Sequence, residues 1–339
     1  MALLPYLERV VSRVDLSSAE ALEAMRTVLS GQASQPQIAA FLVALRMKGE
    51  TVDELVGFAR AMREMAAPID CGPPGEPLLD TCGTGGDGAS TFNISTIAAF
   101  VVAGAGVRVA KHGNRSISSR CGSADLLEAL GIAIAIPPAE VGRAVREIGI
   151  GFLFAPAFHS AMKHAQPVRV DLKMRTVFNL LGPLTNPAGA DAQLAGAPTP
   201  HAAEWIARAL AALGLRRGFV VHGSDGLDEI TTTGPTLAFS VEEGSVEALT
   251  LTPEDFGVEV ARPEDLKGGD VAHNAEIART VLGGGLGPQR DVVLANASAA
   301  LVAAGKAGSF AEGAGMAARS IDSGAAWGKV EALAGFGKQ

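Results

Sequence analysis

An α/β protein, built as a small helical domain beside a larger α/β domain with a mostly parallel central sheet, is predicted by three features of the sequence. Apolar residues recur at helical spacing from Leu16 to about Ala67. A stretch rich in proline and glycine breaks that pattern between Ile69 and Pro77. Beyond it, short apolar runs alternate with helix-like segments, the pattern of a parallel sheet covered on both faces by helices.

The helical stripe is carried by Leu22, Met25, Val28 and Leu29 and then by Ile38, Phe41, Leu42 and Leu45. Ser17 and Ser18 precede the first clear helix, and Thr51 with Glu54 forms a capping-box signature at another. Gly72-Pro73-Pro74-Gly75 marks the crossing into the second domain. Strands are expected over 77–80, 107–110, 132–136, 151–154 and 218–222, giving a doubly wound sheet. The passage Pro167 to Pro187, containing Gly182-Pro183-Leu184-Thr185-Asn186-Pro187, interrupts the alternation and reads as a return to the helical domain or as a hinge. The last third reads as further helix and strand.

With 339 residues, 48% hydrophobic and 19% charged, the chain has the balance of a globular enzyme. Its net charge of −8 argues against nucleic acid as a partner, because that affinity comes from clustered Lys and Arg. Cys71, Cys82 and Cys121 form neither a CxxC pair nor an even set, which fits a reducing cytoplasm. Met1 to Val10 lacks the basic-then-apolar order of a secretory signal, and the longest apolar run, Ile97 to Val107, is too short to span a membrane. A soluble protein with no membrane partner is expected.

Chemistry concentrates in three segments. The first runs from Asp80 through Gly83-Thr84-Gly85-Gly86-Asp87-Gly88 to Thr91 and Asn93-Ile94-Ser95-Thr96, leaving a strand by a glycine loop and entering an apolar helix. Glycines let backbone N–H groups close on an anion, and a helix amino end adds favourable partial charge, so this is a phosphate cradle. Gly83, Gly85 and Gly88 also match the dinucleotide spacing G-x-G-x-x-G, but the next strand leads into Arg108–Lys111 where a ribose-binding acid is needed.

The second segment, Lys111-His112-Gly113-Asn114-Arg115-Ser116-Ile117-Ser118-Ser119, follows the next strand and so faces the same crevice. Lys111 and Arg115 supply cations, and Ser118, Ser119 and Ser123 supply donors, for a diphosphate. The third, Gly223 to Glu229, ends in adjacent Asp228 and Glu229. Surface acids are usually solvated, yet a carboxylate pair after a strand beside phosphate loops suits magnesium, which takes one or two carboxylates plus substrate phosphates. The histidines give no metal spacing: there is no HExxH, and His159 and His164 are five apart, so both read as packing or hydrogen-bonding residues.

In this order and spacing the segments resemble the anthranilate phosphoribosyltransferases, along nearly the whole chain. The resemblance includes GTGGD at Gly83–Asp87, NIST at Asn93–Thr96, KHGNR at Lys111–Arg115, GSAD with LEALG at Gly122–Gly131, RTVFNLLGPLTNP at Arg175–Pro187, DGLDE at Asp225–Glu229 and KGGD with a following Asn at Lys267–Asn274. It implies a fold of the nucleoside phosphorylase and phosphoribosyltransferase type, with a helical domain over 1–70 joined by about 165–190 and an α/β domain over 75–164 and 191–339. It implies transfer of the phosphoribosyl group of phosphoribosyl pyrophosphate to anthranilate in tryptophan biosynthesis, with two magnesium ions per subunit and a homodimer.

By the same resemblance Gly83, Gly86, Asp87, Thr91, Asn93–Thr96, Lys111–Ser119 and Ser123 would contact phosphoribosyl pyrophosphate, with Lys111, Arg115 and Asp87 catalytic. Ser95, Asp228 and Glu229 would hold magnesium, and Gly83, Asn114 and Arg169 would contact anthranilate. Two departures stand out: Ser160 where proline is expected after His159, and Asp171-Leu172-Lys173-Met174 where a Glu-Leu-Gly stretch is usual. A nucleoside phosphorylase-like enzyme and a non-catalytic nucleic-acid-binding relative are the competing readings; the retained acids and the negative net charge speak against them.

Overall fold

The helical start resolves into α1 (Leu4–Val11), α2 (Ser18–Leu29), α3 (Gln35–Lys48) and α4 (Val52–Glu64). The computed structural model describes residues 2–73, 75–85, 88–116 and 120–336. Capping boxes open α2 (Ser17 with Glu20), α3 (Ser34 with Gln37) and α4 (Thr51 with Glu54). Each satisfies amide groups that a helix start leaves unpaired. Met25, Phe41, Leu45, Leu55 and Phe58 are fully buried between these helices. Glu54, also buried, accepts from Leu16 N at 3.0 Å and pairs with Lys48 at 3.0 Å, tying the α1–α2 connection to α4.

The larger part alternates strand and helix: β1 (Leu78–Gly83), α5 (Ile94–Gly104), β2 (Arg108–Gly113), α6 (Ser123–Ala129), α7 (Pro138–Ile148) and β3 (Ile150–Phe154). There follow the short helices α8 (Ala155–Phe158), α9 (Gln166–Leu172) and α10 (Phe178–Leu181), then β4 (Ala192–Gly196), α11 (Pro200–Ala212) and β5 (Arg217–Gly223). The hairpin β6 (Thr236–Glu242) and β7 (Ser245–Leu251) and helices α12 (Val271–Leu282), α13 (Pro288–Ala303), α14 (Phe310–Asp322) and α15 (Ala325–Phe336) complete the chain. The strands make one sheet in the order β3-β2-β1-β4-β5-β6-β7. Its first five members are parallel, and the hairpin adds antiparallel at the edge.

The chain winds outward from β1 to β3 and then crosses back to β4, so the strand order reverses between β1 and β4. In open α/β sheets that reversal opens a crevice at the carboxyl ends of the two strands, where ligands bind. Hydrophobic α5 and α13 cover one face of the sheet, while α11 and the helical bundle share a core with the other. Val168, Val177, Phe178, Leu181 and Leu184, from the mid-chain passage, pack in that second core with α2, α3 and α4. The passage returns to the bundle and lays Asn186 and Pro183 against the sheet: Asn186 donates to Ala110 O and Gln193 to Pro183 O, both at 2.8 Å.

Two expectations need correction. Residues 132–136 form no strand. Ile132 and Ile134 are buried and alternate with exposed neighbours as a strand would, but they plug the core in a connection between α6 and α7. β1 and β2 also run three residues beyond the expected ends, so Gly83 and Lys111–Gly113 are strand residues whose positions the ladder fixes.

Candidate active site

The crevice is built by close approach of two loops. Gly83 and Gly196 end neighbouring parallel strands, and both lack a side chain because the 225–229 loop lies on them. A Cβ on Gly196 would sit 1.5 Å from Asp228 O, and one on Gly83 would sit 2.6 Å from Asp228 Oδ2. That contact allows Gly85 N to donate to Asp228 Oδ2 at 2.7 Å and Ser95 N to donate to Glu229 Oε1 at 3.1 Å. Asp225 braces the loop from behind, accepting from the hydroxyls of Thr231 and Thr233, each at 2.7 Å. Asn296 of buried α13 holds Ile230 by both its backbone groups, at 3.0 and 2.8 Å.

Lys111 lies beneath this crevice, 4% exposed. Its Nζ donates to the carbonyl of Thr81 and lies 3.3 Å from Thr81 Oγ1 and 3.4 Å from Ser95 Oγ. Burial lowers its pKa, opposed by the charges of Asp80, Glu229 and Asp228. Asp80 is fully buried and accepts His112 N at 3.0 Å, and burial raises its carboxyl to about 6. His112 shares its Nδ1 with Gly182 O at 3.3 Å and packs on His159 with ring centroids 5.3 Å apart. Burial depresses the two imidazoles to about 4 and about 3, so both are neutral at pH 7. His159 thus packs against another imidazole.

The remaining candidate residues stand on the neighbouring elements, each with local partners. Asn93 precedes α5, donating to Cys121 O at 3.1 Å and accepting from Asn274 at 3.0 Å, while Ile94 and Thr96 are buried in the first helical turn. Thr91 bridges Lys267. Gly113 leaves room for Ser123, whose hydroxyl donates to Asn114 O at 3.1 Å, and Ser116 N donates to Asp125 at 3.3 Å. Arg115 points its guanidinium at Glu128 and Asp125, at 2.6 and 2.9 Å, and those acids raise its pKa. Arg169, on α9, has its guanidinium 5.1 Å from the Phe178 ring centroid and its pKa lowered by burial. Gly86, Asp87, Ile117, Ser118 and Ser119 lie outside the described residues.

Three residues that stand in the sequence motifs were given no role there: Asp80, Asn274 and Arg175, whose Nη2 donates to Gly85 O at 2.9 Å. An acid at the third residue before a glycine loop was a signal for Asp80. Arg175 was visible only as the first residue of a motif, because its partner is a main-chain carbonyl. As for metal, no group of three or more His, Cys, Asp or Glu is found among the described residues. Asp228, Glu229 and the Ser95 hydroxyl are hard oxygen donors at one crevice, a set that suits magnesium if substrate phosphate and water complete its shell.

Comparison with known proteins places the fold and the sequence in one family. Residues 4–66 match the helical bundle domain of the glycosyl transferase family, and residues 75–327 match its a/b domain. Anthranilate phosphoribosyltransferase of Solibacter usitatus is 71% identical over 336 residues, 99% of each chain. The crystal structure of the Thermus thermophilus enzyme superposes with a TM-score of 0.93 at 47% identity, covering 100% of both chains. The Saccharomyces cerevisiae enzyme, in complex with phosphoribosyl pyrophosphate and magnesium, superposes with a TM-score of 0.89 at 29% identity over 98% of this chain and 97% of its own.

Proposed function

The chain belongs to the anthranilate phosphoribosyltransferase family, and from that premise we propose that the crevice over β1 and β4 holds its two substrates and magnesium. The reaction is the transfer of the phosphoribosyl group of phosphoribosyl pyrophosphate to the amine of anthranilate, a glycosyl (pentosyl) transfer that releases pyrophosphate in tryptophan biosynthesis. The observation that carries the site is the meeting of Asp228 and Glu229 with Gly85 and Ser95, two phosphate-type segments joined to two carboxylates across the sheet's reversal.

In this reading the diphosphate lies on the glycine loop and the amino end of α5, where backbone N–H groups receive it. Lys111, fixed by Thr81 and Ser95, adds a buried positive charge whose effect is not screened by water. Asp228, Glu229 and Ser95 hold magnesium, which when bound neutralises charge on the phosphate oxygens. Arg169 pairs with the anthranilate carboxylate by its planar fork, and Asn114 and Gly83 border the ring. The amine nitrogen forms a bond to the ribose anomeric carbon as the bond from that carbon to the pyrophosphate oxygen breaks. Pyrophosphate leaves with the electron pair, and the nitrogen sheds a proton already made acidic by its new bond. Positioning of this kind is worth roughly 7–11 kcal/mol of barrier. Neutral His112 and His159 keep the neighbouring wall uncharged.

Arg115 takes part once the diphosphate draws it from exposed Glu128, a surface pair of little individual worth, and from half-buried Asp125. Gly86, Asp87 and the 117–119 stretch complete the phosphate contacts, with magnesium or a ribose hydroxyl at Asp87. The division into a helical domain (1–70 with about 165–190) and an α/β domain (75–164 and 191–339) belongs to the same proposal, supported by the shared core of α2, α3 and α4 with the mid-chain passage. Two magnesium ions per subunit, a homodimer and a cytoplasmic location complete it. Exposed Leu4, Val11 and Met47 on the contacting helices α1 and α3 support a second copy, and no described helix is long and apolar enough to cross a membrane. Calorimetric titration of magnesium in the presence of phosphoribosyl pyrophosphate tests the metal site. Asp228→Asn with Glu229→Gln is expected to abolish the binding heat, and retention of wild-type affinity would remove these residues from it.

A further inference from the structure

Arg175 has no part in the mechanism above. It lies half-buried in the turn between α9 and α10, and its Nη2 donates to Gly85 O at 2.9 Å. Gly85 N donates to Asp228 Oδ2 at 2.7 Å, so both backbone groups of one phosphate-loop residue are held, from two different parts of the fold. Gly85 has φ +69, a conformation glycine adopts readily, and among the described residues, its chain neighbours aside, no atom lies within 4 Å of where a Cβ would stand.

The base of Arg175 is rigid. Thr176 N donates to Asn179 Oδ1 at 3.0 Å, and the next residues, Val177 and Phe178, are buried in the core shared with the helical bundle. Phe178 is also the ring against which the Arg169 guanidinium lies, at 5.1 Å. A charged donor anchored on the bundle side thus reaches the phosphate loop from the segment that carries the acceptor-side arginine. A charged donor makes a stronger hydrogen bond than a neutral one.

We propose that Arg175 is a positioning residue for the donor substrate: acting through the Gly85 carbonyl, it holds the phosphate loop in the shape that receives the diphosphate. This rests on the reading of the crevice as the phosphoribosyl pyrophosphate site. Arg175 fixes the peptide plane at Gly85 before substrate arrives, so less ordering remains to be done on binding.

The test is calorimetric affinity for phosphoribosyl pyrophosphate with magnesium, measured for the full-length wild type, Arg175→Ala and Arg175→Lys, beside steady-state constants. Arg175→Ala is expected to weaken binding about tenfold, with KM for anthranilate unchanged and kcat within about threefold. Arg175→Lys, which still offers a charged donor, is expected to recover most of that loss. Wild-type affinity in a folded Arg175→Ala protein, or loss of affinity that lysine does not recover, would overturn the proposal. Wild type that binds phosphoribosyl pyrophosphate but leaves anthranilate unconsumed would overturn the assigned reaction and leave the Arg175 comparison readable. Wild type that binds none would overturn both.

Discussion

Gly196→Ala should disable the site from beneath, by displacing the backbone of the 225–229 loop while every proposed ligand side chain is retained. The new Cβ would lie 1.5 Å from Asp228 O and 2.5 Å from its carbonyl carbon, against an ordinary separation of about 3.5 Å. Gly196 is locked in the middle of the sheet between β1 and β5, so the 225–229 loop must retreat, by roughly 2 Å on that comparison. Neither the 2.7 Å bond to Gly85 nor the 3.1 Å bond to Ser95 survives such a shift. Overpacking of this kind costs about 1–3 kcal/mol of stability, and a 1 Å misplacement of reacting groups costs about 100-fold in rate. The expected result is a folded protein whose kcat/KM, followed by anthranilate fluorescence, falls at least about 100-fold, with a raised magnesium requirement. Gly328→Ala is the control: it is exposed on α15, and among the described residues no atom beyond its own helix backbone and chain neighbours lies within 4 Å of the added Cβ. It should gain about 0.5–1 kcal/mol and keep full activity. A Gly196→Ala enzyme within about threefold of wild-type kcat/KM would refute the argument that loop contact sets the metal ligands.

Lys173 closes α9 at φ 47, ψ 32, a left-handed conformation that side chains resist. Lys173→Gly should therefore raise stability by about 0.5–1 kcal/mol, the strain relieved exceeding the entropy that glycine adds to the unfolded chain; a lower urea midpoint would contradict this. His112 and His159 titrate at about 4 and about 3 in the folded chain, against an ordinary 6.5. The unfolded chain therefore binds more protons between pH 4 and 6.5, and stability is full above 6.5 and falls as pH drops through that window. From pH 7 to pH 5 the loss is about 2 kcal/mol for each ring. Urea unfolding at both pH values, on wild type and His159→Gln, should show the variant losing less; identical losses would place the acid sensitivity elsewhere.

The helical bundle was legible because its apolar stripes and serine or threonine caps are local signals, read within one or two turns. The buried strands were harder. β4, Ala-Gln-Leu-Ala-Gly at 192–196, has no β-branched residue, and its one polar side chain is spent on Pro183 O inside the core. Residues 132–136 show the reverse, alternation without a neighbouring strand to pair with. The residues of the site were visible as three segments, but their meeting was not, since Gly85 and Asp228 are 143 positions apart and brought together by strand order. Lys111 and Arg115 both read as loop cations for a diphosphate; Lys111 is instead buried in β2, and Arg115 is held by acids of α6 in the ligand-free chain. Lys173, where glycine is usual in the resemblance, became meaningful only when its φ was known.

The central claim, that Asp228 and Glu229 serve a magnesium-dependent phosphoribosyl transfer to anthranilate, is tested most directly by anthranilate fluorescence. Phosphoribosyl pyrophosphate is added with and without magnesium, to wild type and to the Asp228→Asn, Glu229→Gln double variant. The account predicts loss of fluorescence that requires magnesium in the wild type and is abolished in the folded variant. Magnesium-independent loss, or a variant as fast as wild type, would contradict it.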